Sequence, residues 1–221
     1  MKKIIKIVTI IGIFLLVVLI VQNLRKIIII NNICAIDTSD YINYHLTVYN
    51  YNDISSHFYD VLRKENVSIS TLKNLVNDYE SYSYRDEKND ESIQIVTVND
   101  ERKAFVGNSS NVMTPTAHIP NTKNFLEIDN LFNILTQVYS INSEECNGKD
   151  CYLISINKDN RNLKIWVDKE TYLIVRNITI TSTKENGEKT NIVMDWRYEF
   201  DCVKDSSLQK PNLEGINIEY K

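Results

Sequence analysis

Three histidines, four cysteines and a few paired carboxylates are the side chains of this chain best suited to chemistry. Their spacing argues against most of it. His45 and His57 fall in facing strands of one hairpin, yet no third ligand stands within reach, as a zinc site requires. His118 is a loop residue between Ala117 and Ile119. Asp86 with Glu87, and Glu144 with Glu145, lie among turn signals where solvated carboxylates are expected. The sequence holds no H-E-x-x-H, no G-x-S-x-G, no P-loop and no Rossmann glycines, and 5 Gly leave little for a loop that cradles phosphate. We expect no catalytic residue, no metal and no cofactor; the expected activity is binding.

Cys146 and Cys151 bracket N-G-K-D. With a four-residue loop they face each other across a hairpin and can form a disulfide. A two-residue Asn147-Gly148 turn instead pairs Cys146 with Lys149 and leaves Cys151 a diagonal neighbour, too distant for a bridge. Oxidation outside the cell allows the first pairing, and Cys151 with Cys202 is the other candidate. C-x4-C alone does not specify zinc, because no second ligand pair matches it.

Aromatic strand faces carry more information. In "TNIVMDWRYEFDCV", Ile192, Met194, Trp196, Tyr198, Phe200 and Cys202 alternate with Asp195, Arg197, Glu199 and Asp201, so one side of the strand is apolar and the other charged. Met194, Trp196, Tyr198 and Phe200 suit a core face under a helix, or a groove for an apolar ligand or a partner segment, since aromatic and thioether surfaces serve both. Trp166 stands between Lys164 and Asp168 on the more polar side of "LKIWVD", which implies that this face is covered or receives something.

These residues need elements to position them. "NYHLTVYNY" places Tyr44, Leu46 and Val48 on one face and His45, Thr47, Tyr49 and Tyr51 on the other, opening a first hairpin with "ISSHFYDVL". "SISTLKNLVNDYESYSYR" fits a short helix capped by Ser70, and equally a strand. "SIQIVTVNDERKAFVG" is a hairpin turning at Asn99 and Asp100. Residues 108–122 form a loop, and "NFLEIDNLFNILTQVYS" repeats apolar residues from Phe125 to Tyr139 as an amphipathic helix of about four turns. Strands follow, with turns at N-G-K-D, D-K-E-T and E-N-G-E, and the last residues read as a loop with room for a short terminal strand. The fold class is mainly β (α+β), an antiparallel sheet with a helix on one face. The 13 tyrosines and many branched residues agree with that.

The first 26 residues are a separate object. Lys2, Lys3 and Lys6 precede the apolar run Ile7 to Val21, and Arg25 and Lys26 follow Leu24. No small-x-small cleavage site comes after the run, so residues 1–26 read as an uncleaved transmembrane signal anchor rather than a signal peptide. Residues 27–40 then form a stalk and 41–221 one extracytoplasmic domain, the amino terminus inside by the basic residues that precede the run. Ile33 and Asn31 exclude lipid attachment at Cys34. Five of the 25 basic residues and one of the 29 acids fall in 1–37, leaving 20 against 28, a net of −8. Such a domain repels nucleic acid and anionic lipid surfaces.

Residues Ile165, Trp166, Val167, Asp168 and Lys169, then Val175 and Arg176, then Phe200 and Pro211, resemble the second half of the LolA/LolB/RseB-like superfamily of lipoprotein carriers and signalling relatives, over about Tyr152 to Ile218. The resemblance implies a curved antiparallel half-barrel with a helix covering the concave face over an apolar cavity, here preceded by one N-terminal transmembrane helix. Together with the apolar strand face it leads us to expect a site at Met194, Trp196, Tyr198, Phe200 and Trp166 for a hydrophobic or acyl ligand or a lipid-bearing protein, where Trp196→Ala weakens uptake more than folding. The alternative is an envelope sensor in which the same cup binds a membrane protein partner. A cystatin-like or PepSY-like sheet without a cavity is a third possibility.

Overall fold

The computed structural model describes residues 2–52, 55–112, 118–126, 131–158, 161–182 and 189–221. The expected E-N-G-E turn, the centre of the 108–122 loop and residues 127–130 of the expected helix lie outside them.

Helix α1, Lys2–Cys34, opens the chain. Strands β1 (Asn43–Asn52), β2 (Ser56–Lys64), β3 (Val67–Asn74), β4 (Tyr79–Asp86), β5 (Glu91–Val98) and β6 (Glu101–Gly107) follow as a meander. Two short helices, α2 (Thr122–Leu126) and α3 (Leu131–Gln137), precede β7 (Val138–Cys146), β8 (Lys149–Lys158), β9 (Arg161–Asp168), β10 (Ile174–Ser182) and β11 (Lys189–Phe200). A short β12, Asn217–Tyr220, closes the chain. Among the described residues all twelve strands join one sheet in the order β12-β6-β5-β4-β3-β2-β1-β11-β10-β9-β8-β7.

This corrects the expected architecture. The sheet is open, with β7 and β12 as free edges, and it is mixed, because β12 runs parallel to β6. It is not an antiparallel half-barrel with a helix across a concave face. The physical reason lies in its apolar residues. Directly paired residues share a face. On the inner face Tyr44, Leu46 and Val48 of β1 are 4%, 0% and 2% exposed and pack with Val61, Ile154, Ile165 and Trp196 beneath the helices. Register carries Leu46 through Val61 to Ser70 and Ser83, so that beyond β2 the inner face bears serines. The apolar set of β3–β6, Ile69, Tyr84, Ile93, Ile95 and Ala104, lies on the outer face, covered by Leu208, Leu213, Ile216 and Ile218 of the C-terminal segment. A cup needs one continuous apolar wall; this sheet changes sides midway.

The ambiguous segment 68–85 resolves as β3 and β4, so Ser70 lies in a strand and caps no helix. Of the expected four-turn helix the structure describes α2 and α3, on either side of residues 127–130. Val138 pairs with Ile156 and begins β7, so sheet pairing wins over helical periodicity at that end. Residues 27–34 are the last turns of α1, and Ile29, Ile30 and Ile33 are buried in the main core.

Candidate functional site

The outer face of the central strands is the candidate site, and it is reached by elimination. Of the residues singled out in the sequence, Met194, Trp196, Tyr198 and Phe200 do share one face of β11, opposite Asn50, Val48, Leu46 and Tyr44 of β1. That face is filled from within. Trp196 is 4% exposed, and the Phe125 ring of α2 meets it edge-on at 6.0 Å. Phe200 stacks on Tyr41 at 4.6 Å, and the Tyr198 hydroxyl donates to the Ile174 carbonyl at 2.7 Å. The structure does not bring Trp166 to them. Trp166 pairs with Leu153 and Arg176 on the outer face, packed with Cys146, Cys151 and Val175. That packing covers the tryptophan on its polar-sided strand.

The thiols beside Trp166 have little chemistry. Asn147 and Gly148, both with positive φ, form a two-residue turn that pairs Cys146 with Lys149. Cys146 and Cys151 are therefore diagonal neighbours and free thiols, not the directly opposed pair that a disulfide needs. Burial, helped by the neighbouring Cys146, pushes the Cys151 thiol up to about 11, and burial raises Cys146 as well. Both stay protonated and weakly nucleophilic at neutral pH. His45 and His57 are not neighbours either. His45 lies on the outer face, its Nε2 2.6 Å from Asp60, while His57 is paired with Asn50 on the inner face. Among the described residues no group of three or more His, Cys, Asp or Glu is placed to hold a metal ion.

Asp168 holds the turn after β9. Burial raises its carboxyl, but the Lys149 ammonium at 2.8 Å, the Glu170 N–H and the Thr171 hydroxyl outweigh that and hold it below the usual carboxylate range. A depressed folded-state value contributes stability that is present above the unfolded value of about 4 and lost as pH falls through the folded one. Asp168→Asn is expected to cost about 2 kcal/mol at pH 7. Thermal melts from pH 6 to pH 2 check this: the variant should decline less steeply than the parent, and equal slopes would remove Asp168 from the acid response.

Between the Trp166 cluster and the segment-covered half, β11, β1 and β2 leave a strip of the outer face open. Tyr49 lies at its centre, with Phe58 tilted against it at 4.8 Å and Tyr51, 42% exposed, parallel to it at 6.1 Å. The exposed Arg197 guanidinium lies over the Tyr49 ring at 5.9 Å. Among the described residues no carboxylate pairs with it. Ion pairs border the aromatic centre in the same register row. On one side Arg176 grips Asp195 at 2.6 and 3.0 Å; on the other Lys73 meets Glu80 at 3.2 Å. At the far end His45 stands between Asp60 and Glu199. The sequence reading separated these residues from the apolar face but saw no site in them. The signal was the run Thr47, Tyr49, Tyr51, too aromatic for a plain solvated face.

Among the described residues, two surface pockets mix charged and apolar linings. One of about 360 Å³ is lined by Lys64, Asp86, Lys88 and Asp205, and one of about 400 Å³ by Glu80, Tyr82, Arg102 and Pro211.

Among solved structures the chain is similar to the Pseudomonas aeruginosa MucA/MucB complex at 10% identity, over 83% of this chain and 60% of that one, with a TM-score of 0.42. A second MucB structure, in complex with MucA(peri), matches at 10% identity over 79% and 60%, TM-score 0.39. PNGF-II matches at 14% identity over 81% of this chain and 31% of that one, TM-score 0.29. The chain thus spans 60% or less of the length of each. No curated protein sequence matches. Residues 108–201, from the loop after β6 to the end of β11, match the family described as "Predicted periplasmic protein (DUF2092)".

Proposed function

We propose that the protein is a membrane-tethered extracytoplasmic binding module, related to the LolA/LolB/RseB-like superfamily, that acts by holding a protein partner at the membrane surface. One observation carries this reading: the division of α1. From Val8 to Val21 most of its large apolar side chains are 45% or more exposed, with Val18 and Ile20 half-buried, the pattern of a lipid-facing segment. Ile4 to Leu24 spans about 31 Å at the helical rise, near the ~30 Å of a bilayer core. No single helix among the described residues is long and apolar enough to cross a membrane by itself, but Val8–Val21 with Asn23–Asp40, bent by 57°, meets the requirement together. A few residues on, Ile29, Ile30 and Ile33 of the same helix are 6%, 1% and 0% exposed in the domain core. The anchor is built into the fold, which suits a fixed receptor or regulator better than a diffusing carrier.

Membrane fractionation tests the reading. The full chain is expected to stay with membranes through an alkaline wash, with its domain open to protease from outside the cell; removal of residues 1–26 should release it. Recovery of the untruncated domain in the medium would end the proposal. The same protein separates the partner reading from the acyl-ligand reading. Met194, Trp196, Tyr198 and Phe200 reach a ligand only if Phe125 and its helix leave them, and Trp166 faces the other way. Purified full-length protein in detergent should therefore take up less than one fluorescent fatty acid per ten molecules. Stoichiometric uptake would favour the ligand.

A further inference from the structure

We infer that the open strip of the outer face, centred on Tyr49, Phe58 and Arg197, is the docking surface for the partner, and that its occupant is a polypeptide segment presenting a carboxylate to Arg197. The inference rests on the proposed binding function and names the surface. The strip has the anatomy of a protein interface. Packed aromatic rings and an arginine, the residue types that dominate binding energy, occupy its centre, and charged pairs form its rim.

Its location follows from the change of apolar face. The helices cover the inner face, the C-terminal segment covers β3–β6 on the outer face, and the Trp166 cluster packs over β8–β10. Beside Arg197, β1 and β2 keep Tyr49, Phe58 and Tyr51 half-exposed on this face, whereas the half-exposed Tyr82 of β4 packs in the cluster with the C-terminal segment.

Charge states what the occupant must carry. Arg197 is the cation of the strip that no described carboxylate neutralises, while Asp195, its strand neighbour, is held by Arg176. A carboxylate on the partner completes Arg197 without breaking an existing pair. Arg197 and Asp60 both pair with Thr47, and two residues along β11, about 7 Å at the strand rise, Glu199 lies beside His45; Asp60 and Glu199 flank that histidine and call for a basic group. The fitting segment therefore carries an acidic residue for Arg197, a basic residue about 7 Å from it toward His45, and apolar side chains over Tyr49 and Phe58. A neutral glycan would stack on the tyrosines but leave both charged ends unanswered.

The experiment uses the full chain in the membranes of the cells that express it, with a benzophenone amino acid at Thr47, in the centre of the strip, or at Ser143 on the β7 edge. Irradiation at Thr47 should yield one crosslinked protein whose attached peptide holds an acidic residue within a few positions of the crosslink. R197E should reduce that product at least tenfold, and replacing the partner's acid with arginine should restore it. R102E, on the same face outside the strip, should leave it unchanged, and circular dichroism confirms that both exposed-site variants stay folded. A product indifferent to R197E, a crosslinked peptide without an acid, a glycan adduct, or crosslinking from Ser143 alone overturns the docking surface while leaving a partner in place. No crosslink from either position overturns the binding function itself.

Discussion

Trp196→Ala lowers the stability of the domain by about 3–5 kcal/mol, the usual cost of emptying a tryptophan site in a core. In a protein of this size that lowers the melting temperature by roughly 10 °C or more. The indole is 4% exposed, shares its face with Leu46 and Val48, and meets Phe125 edge-on, so its removal leaves a cavity that α2 and β1 cannot both close. Denaturant melts of parent and variant measure it. The ligand reading of the sequence put the loss mainly on uptake; the packing puts it on folding. A variant within about 1 kcal/mol of the parent would mean that α2 does not seal the face, and would reopen that reading.

Truncation of α1 at two points separates anchor from core. Removal of residues 1–26 takes away the exposed apolar run and leaves a chain expected to melt cooperatively in water. Removal of residues 1–34 also takes Ile29, Ile30 and Ile33, each 6% exposed or less. Burying one such side chain contributes about 2 kcal/mol or more, so the three together account for roughly 6 kcal/mol, against a total stability of about 5–15 kcal/mol for a typical domain. The shorter chain should be unfolded or aggregated at 25 °C, visible as loss of the β-sheet circular dichroism signal and of a cooperative transition. If both truncated chains melt alike, the last turns of α1 are a dispensable stalk and the burial of Ile29, Ile30 and Ile33 does not hold the core together.

Ile29, Ile30 and Ile33 of α1 belong to the same inner-face cluster as Ile134 and Val138. Lys26 adds a polar contact at that junction, its ammonium donating to the Val138 carbonyl at 3.2 Å. The open strip lies across the sheet from this cluster, on the alternate side chains of the same β1 and β11. Side chains at Leu46 and Thr47 are neighbours in the chain but answer to opposite faces.

The sequence by itself determined whatever depends on neighbours along the chain. Alternation in β1 assigned Tyr44, Leu46 and Val48 to the buried face, because successive side chains of a strand point to opposite sides. Asn147-Gly148 allowed a two-residue turn because both positions tolerate positive φ. Tertiary structure alone decided what depends on partners far away in the chain. Val138 is helical by periodicity and becomes strand because Ile156 pairs with it. The serines of β3–β5 alternate with Ile69, Tyr84, Ile93 and Ile95, so the local pattern separates two faces, but what covers the apolar one is the C-terminal segment, distant in the chain. The strip needs Tyr49, Phe58 and Arg197 in adjacent register on three strands, and cross-strand register is fixed by packing of the whole sheet, not by any local pattern.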